Sequence, residues 1–432
     1  MNRELILKAL IDWNFWYKNQ FIGIERDYSN QLLSLLGKGF AISVIGVKRS
    51  GKSTIINQVV KKLIDKGEDP FNTLIVNFED SRFGEIRTAN DLFSLYELYK
   101  EIRKKKDSRP YVFLDEIQKV QGWEGFVRSL VDRKEANVVI SGSTSSVNNK
   151  NVREVLAGRH LVLEVFPLSF KEFLRFKNIR LSTELDMIAK ENEIKGLFSE
   201  YLNYGGFPLV VSNDNEKDKE KILLQLYEDI MLKDVINECN IRNEEDVKNL
   251  ALFYISNVGN KIRYRKISNS LNIPLTNILR FTECIKNAYL IFFVKALSPK
   301  LSEMVRYDRK VYSIDNGISN VLGYRLNQNV GSLFENLIFL ELLRRYGINN
   351  IFYYKGRRGE VDFVVKVKNE IREIYQVTYE LSDLEREIKS IEEFLKIRKT
   401  KAYIITFDNE GEVKINDNVV KVVKAWKWLL ME

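Results

Sequence analysis

A short run near the start of the chain has the residue types and spacing to hold a phosphate chain: Gly46-Val47-Lys48-Arg49-Ser50-Gly51-Lys52-Ser53, with Thr54 behind it. Glycine at the first and sixth places lets the backbone wrap an anion without side-chain interference, and the loop N–H groups turn inward. A helix opening at Lys52 points the positive end of its dipole at the same anion. Lys52 then reaches the β- and γ-phosphates of a nucleoside triphosphate, and Ser53 ligates magnesium. Val47, Lys48, Arg49, Ser50 and Thr54 complete the nucleotide-binding set. An ordinary glycine turn is the alternative; the apolar run before the loop and the helical stretch after it argue against that.

A second group of residues supplies the rest of such a site. The run YVFLDE has the pattern of a buried strand and ends in two carboxylates, Asp115 and Glu116. Asp115 is expected to hold magnesium, directly or through water, and Glu116 to polarise the attacking water as a general base. The next apolar run ends Ser141-Gly142-Ser143-Thr144. Ser143 is read there as a hydroxyl between the γ-phosphate and the acidic pair, with a plain polar loop as the alternative. Glu79 and Asp80, after another apolar run, fit a solvated loop better than the site.

These groups meet only if a sheet brings the strand ends together. Short apolar runs rich in β-branched residues lie at 40–46, 73–78, 111–116, 137–143 and 160–166, with room for helical crossovers between them. That is the pattern of an α/β fold with a buried parallel sheet. Residues 168–260 carry helical periodicity, interrupted by the charged stretch NDNEKDKEK. A compact helix-turn-helix spacing follows, and the last hundred or so residues return to a helix-strand-strand-helix-strand order. The expected boundaries are 1–167, 168–245, 246–325 and 326–432. A chain of 432 residues with 45% hydrophobic composition can bury several cores. Its net charge of +9 suits a polyanionic partner, though many proteins of this length carry such a surplus without one. Cys239 and Cys284 are too few for a disulfide framework or a zinc site, and His160, the single histidine, argues against histidine metal sites and Ser-His-Asp chemistry. No stretch is long and apolar enough for a membrane span, and the N-terminus lacks a signal core, so the chain reads as cytoplasmic.

In this order, GVKRSGKST, FLDEIQ, SGST, AGR and FPLSFKEF resemble archaeal and bacterial AAA-type P-loop ATPases related to the STAND signalling NTPases, over at least residues 20–210. The resemblance implies ATP as the nucleotide, together with Mg2+. It implies an arginine finger at Arg159, with Arg153 as a second candidate, entering a neighbour's site in a homo-oligomer to neutralise charge on the transferred phosphoryl group. A surface arginine or a pair within the subunit is the alternative. Gly205-Gly206-Phe207-Pro208 is similar to that group's G-x-P element, in which a proline turn of a helical lid lies near the nucleotide base, so Pro208 joins the nucleotide-binding set. Members of the group commonly continue with a winged helix and a restriction-endonuclease-like α/β domain.

The remaining residues fit both. The stretch YRKISNSLNIPLTNILRFTECIKN has a helix-turn-helix pattern in which Pro274 opens the second helix. Leu275, Ile278, Leu279 and Ile285 share one face. Thr276, Asn277, Arg280 and Lys286 face outward, where they can touch base edges and phosphates of DNA. A packing module that fastens a closed state is the alternative. LIFFVKA and RKVYSID read as the two strands of a wing, with SPKLSEMVRYD at its tip. Further on, Glu335 in a helix, Glu360 and Asp362 on a strand, and Gln376-Val377-Thr378 on the next strand resemble the PD-(D/E)xK nuclease layout, in which acids hold magnesium and a lysine activates water. Thr378 stands where that lysine is expected, which implies a nuclease-like domain that has lost cleavage. Lys355, Arg357 and Arg358 can still grip phosphates. The function expected is an ATP-hydrolysing ATPase whose nucleotide state is coupled to DNA. A STAND-like switch acting on a protein partner is the alternative, and an ATP-gated nuclease a weaker one.

Overall fold

The apolar runs of the first half become five parallel strands: β1 (Ala41–Ile45), β2 (Thr73–Asn77), β3 (Tyr111–Asp115), β4 (Asn137–Ser141) and β5 (His160–Glu164), in the order β2-β3-β4-β1-β5. The computed structural model describes residues 2–103, 108–142, 150–298, 300–323, 330–381 and 384–431. The chain divides into two units, residues 1–166 and 167–432. In the first unit, β1 and β2 are buried at every position, as strands covered on both faces must be. Strand β5 differs from the expected buried pattern: Val162 is 41% exposed, because an edge strand has a neighbour on one side only.

The strand order builds the site. The C-terminal ends of β1, β4 and β3 lie side by side, and the order jumps from β1 to β4, which leaves the crevice where open α/β sheets bind ligands. The helix Lys52–Asp65 leaves the end of β1. It starts from Gly51, whose φ of +96° is costly for any residue with a Cβ. Ile55, Ile56, Val59, Val60 and Leu63 recur at helical spacing and are all buried, so one face of this helix is anchored to the core. The helix Ala89–Ile102 begins with a capping box between Thr88 and Asp91, which satisfies backbone donors at its start.

The second unit opens with helices, among them Phe170–Phe176, Glu191–Tyr204 and Glu216–Asp229, the last continuing through a π-helical stretch, Ile230–Asn237. The helices Glu244–Ser256, Tyr264–Leu271 and Leu275–Asn287 then alternate with β6 (Lys261–Ile262), β7 (Ile291–Ala296) and β8 (Arg309–Ser313). After the buried helix Val330–Tyr346 come β9 (Ile351–Lys355), β10 (Glu360–Val367), β11 (Glu370–Val377), β12 (Lys401–Thr406), β13 (Gly411–Ile415) and β14 (Asn418–Lys424). All nine strands form one mixed sheet in the order β13-β14-β12-β11-β10-β9-β7-β8-β6. The helix Leu384–Ile397 covers part of this sheet with Ile391, Phe394 and Leu395 against Val361, Val364, Ile374 and Ile404.

The second unit also differs from the sequence expectation, with β9, β13 and β14 added to the helix-strand-strand-helix-strand order of its last hundred residues. Strands β7 and β8 pair antiparallel as the wing strands should, but β7 also pairs with β9, through Lys295–Phe352 and Ala296–Tyr353. The pair β7–β8, expected as a wing, is therefore continuous with the terminal sheet, and the segment between β7 and β8 carries a helical turn, Leu301–Arg306. Cys239 and Cys284 close a disulfide across 6.3 Å of Cα separation, because the end of the π-helical stretch lies against the helix Leu275–Asn287. No helix among the described residues is long and apolar enough to cross a membrane.

Candidate nucleotide site

The loop after β1 is held tightly against β5. At Gly46, φ is +143° and a Cβ would lie 2.1 Å from the Val165 carbonyl oxygen, so no side chain fits. Arg49 also has positive φ, and Ser50 closes a turn onto the Val47 carbonyl. Lys52 is 7% exposed and curls over the loop, with Nζ donating to the carbonyls of Gly46 at 3.1 Å and Val47 at 3.2 Å. Its ammonium thus waits at the loop that would carry the phosphates. Lys48 lies 3.9 Å from Glu79.

The acidic pair meets the loop. Asp115, at the end of β3, is 3% exposed and accepts a hydrogen bond from the Ser141 hydroxyl, and the Ser53 hydroxyl lies close enough to act on its carboxyl. Burial pushes its carboxyl above the usual range, while those two hydroxyls pull it back. A hydroxyl from the loop and a carboxylate from β3 on one spot can hold a hard divalent cation such as Mg2+, and a cation there would keep Asp115 ionised. Glu116 follows in the left-handed region at φ 55°, which turns its side chain away from the strand. Its Oε2 accepts from Gln118 Nε2 at 2.7 Å, and its backbone N–H points at Ser141 Oγ, 3.4 Å away. Beyond it, at the ends of β2 and β3, a cleft of about 750 Å³ is lined by Phe78, Glu79, Asp80, Arg87, Gln118 and Lys119. Asp80 is claimed by Arg82 and by Trp13 Nε1 at 2.8 Å, which hold its carboxyl well below the ordinary range.

The expected set is brought together in part. Gly46, Val47, Gly51, Lys52, Ser53, Asp115 and Glu116 share one strand-end crevice. Ser143 lies outside the described residues, and the hydroxyl seen on Asp115 is that of Ser141. Arg159 precedes β5, next to β1 but at the opposite end of the strands, a strand length of roughly 15 Å from the loop. It pairs there with Asp132 and with the Ala157 carbonyl, so within its own subunit it has no place in the site. Pro208 opens the short helix Pro208–Val211 of the second unit. Gly205 and Gly206 before it pack on Asp315: Gly206 N–H donates to Asp315 Oδ2 at 2.7 Å, and any Cβ at Gly205 would overlap that carboxylate.

The sequence missed the strap that leads into this site. Residues 21–26 run along the helix Lys52–Asp65, held by Gln58 Nε2 on the carbonyls of Ile22 and Ile24, each at 2.8 Å. Gly23 sits against Thr54, and Phe21 beside it is 81% exposed. Arg26 is fully buried and donates to the carbonyls of Ser50 and Phe166, bracing the loop from beneath. No periodicity marks this segment; the one local signal was a glycine inside an apolar run.

In the second unit, Thr276 is exposed and Asn277 half-buried on the helix Leu275–Asn287. Arg280 donates to the Cys239 carbonyl at 2.7 Å, and Lys286 pairs with Glu283 at 2.8 Å, so both outward cations are engaged within the chain. Glu335, Glu360 and Asp362 do converge, but around Lys310 of β8, a lysine the sequence placed only in a wing strand. Gln376 lies beside them on β11 and donates to Glu387.

The chain matches the model of an AAA domain over residues 38–174, and two domains of unknown function, DUF8612 and DUF4143, over 195–329 and 330–428. Among solved structures it is similar to the Orc1 protein of Aeropyrum pernix in complex with DNA, at 12% identity and a TM-score of 0.32, covering 74% of this chain and 95% of that one. An uncharacterised protein of Haemophilus influenzae is 30% identical over 94% of this chain and 98% of its own length. An uncharacterised protein of Methanocaldococcus jannaschii is 36% identical over 90% of this chain and 87% of its own. The chain therefore belongs to the family of AAA-domain proteins that includes these archaeal and bacterial relatives.

Proposed function

We propose that the protein binds ATP with Mg2+ at the loop 46–54, hydrolyses it, and couples its nucleotide state to nucleic acid through the second unit. The observation that supports this most is the meeting of the Ser53 hydroxyl and the Asp115 carboxylate beside the loop that Lys52 covers. In this reading Lys52 bridges the β- and γ-phosphates, Ser53 and Asp115 carry Mg2+, and Glu116 orients the attacking water. Ser141 takes the sensing place expected of Ser143. Arg159 contributes only to a second subunit's site, after leaving Asp132. Residues 244–313 are read as a winged helix and the terminal sheet as nuclease-like without cleavage. The test is turnover with and without DNA. Lys52→Ala should abolish hydrolysis and Glu116→Gln should retain bound ATP; normal hydrolysis by either variant would sink the site assignment.

A second reading is a nucleotide switch that acts on a protein partner. It is favoured by the engagement of Arg280 and Lys286 within the chain and by the wing strands lying inside the nine-stranded sheet. It predicts tight ADP binding, slow turnover and no response to DNA.

A further inference from the structure

Lys310 stands among three carboxylates. Its Nζ lies 2.9 Å from Glu335 Oε1, 2.9 Å from Glu360 Oε1 and 2.9 Å from Asp362 Oδ1, and the residue is 3% exposed. Glu335 comes from the helix Val330–Tyr346 and the other two from β10, so helix, strand β8 and strand β10 converge on one ammonium. Tyr312, on the same face of β8, donates its hydroxyl to Glu335 at 2.7 Å, and Lys261 reaches Glu360 from β6. The ammonium donates hydrogen bonds to Glu335 and Asp362, and Glu360 is an ion-pair contact at the same distance. Burial opposes the Lys310 charge, but Asp362 and Glu335 outweigh it and hold the ammonium protonated. The side chain does what a small cation does at the centre of an oxygen cage.

An independent observation concerns Gln376. It is 8% exposed and sits on β11 one position beyond the Phe363–Tyr375 pair, which places it opposite Asp362 on the same face of the sheet. Its Nε2 is used by Glu387, while its Oε1 has no hydrogen-bond partner. The next residue, Val377, gives its backbone N–H to Asp362 Oδ2 at 3.0 Å. A buried amide oxygen without a donor is a ligand for a hard cation and of no use to an ammonium already saturated by carboxylates. Among the described residues no group of three acidic, histidine or cysteine side chains is arranged to hold a metal ion.

We propose that Lys310 is a built-in counter-ion occupying a divalent-cation site formed by Glu335, Glu360, Asp362 and Gln376, and that its ammonium, rather than any lack of ligands, blocks metal binding there. The set is all oxygen, with neither sulfur nor imidazole, so the ion it suits is a hard one such as Mn2+, Mg2+ or Ca2+. Ammonium–oxygen distances of 2.9 Å exceed the roughly 2.1–2.6 Å of those ions. Without the ammonium, the carboxylates repel one another until a divalent ion draws them in by a few tenths of an ångström.

The experiment uses the full chain without nucleotide, so that the loop 46–54 adds little metal binding, and compares wild type with Lys310→Met and with Lys310→Met/Asp362→Asn. Mn2+ uptake is followed by electron paramagnetic resonance, and thermal unfolding is followed with and without millimolar Mn2+. Lys310→Met should take up one additional Mn2+ relative to wild type. Its unfolding midpoint, lowered in chelator, should recover with the metal. Adding Asp362→Asn should remove both effects. Lys310→Met that takes up no additional ion, or that stays unfolded in millimolar Mn2+, overturns the proposal and leaves Lys310 an ion-pair partner only. It falls equally if the additional ion survives in Lys310→Met/Asp362→Asn.

Discussion

Single residues carry the sharpest tests. Lys52 is the one ammonium folded over the phosphate loop among the described residues. Removing a preorganised charge aimed at a transition state costs about 10²-fold or more in turnover. Lys52→Ala should therefore fall at least that far in a coupled ATPase assay. Asp315 offers a pH test. Burial pushes its carboxyl up to about 7, against backbone donors from Gly206 and Gly317 and the nearby Arg344 that pull it down. The folded value lies above the unfolded value of about 3.9, so this group's contribution to stability is complete below that unfolded value and is lost as pH rises through 7. The unfolding midpoint of Asp315→Asn should gain on that of wild type from mildly acidic to mildly alkaline pH; a difference that stays constant across the range would show that the carboxyl does not titrate there. At this scale Asp115, Glu116 and the loop were legible because each motif is contiguous. The contact of Ser141 with Asp115 was not, because which hydroxyl of that run meets the carboxyl depends on where β4 ends; Ser143 lies outside the described residues.

At the scale of elements, the loop after β1 is shaped by its neighbour β5 as much as by its own glycines. Gly46→Ala would drive a Cβ into the Val165 carbonyl at 2.1 Å, in a conformation that L residues rarely adopt. Such overpacking costs about 1–3 kcal/mol. Urea melts of the variant should show that loss, and fluorescent ATP should bind weakly or not at all. Packing of the helix Leu384–Ile397 on its sheet supplies a contrast away from any site. Phe394 is 2% exposed in that core, and truncating a buried phenylalanine costs about 3–5 kcal/mol. Phe394→Ala should thus lower stability in denaturant melts, and ATP affinity should hold as long as the first unit stays folded. The five strands of the first unit followed from their apolar runs, whereas in the second unit β6, β9, β13 and β14 were not read from the sequence. Nor was the pairing of β7 with β9, because period-two alternation says which face is buried and never which strand lies alongside.

For the whole molecule, the positive net charge bears on the choice between a nucleic-acid partner and a protein partner. If nucleic acid is bound through phosphate contacts, affinity must fall linearly on a log–log plot against salt, with a slope of about −0.9 per phosphate neutralised on duplex DNA. Fluorescence anisotropy with single-stranded, duplex and branched DNA, with and without ATP, should show that slope and a change with nucleotide. Flat, weak binding in every arm would leave the switch acting on a protein partner as the better account. The five strand runs of the first unit, the loop 46–54 and the acidic pair are local properties, written in runs of a few residues, and could be read without coordinates. The rest is non-local. Arg26 reaches the loop across the fold, Lys310 enters a carboxylate cluster built by elements later in the chain, and Arg280 and Lys286 spend their charges on nearby groups. Distances in space between residues remote in sequence are decided by how the sheets close and the helices pack, and those distances set the Lys310 ammonium of β8 among three carboxylates from the helix Val330–Tyr346 and β10.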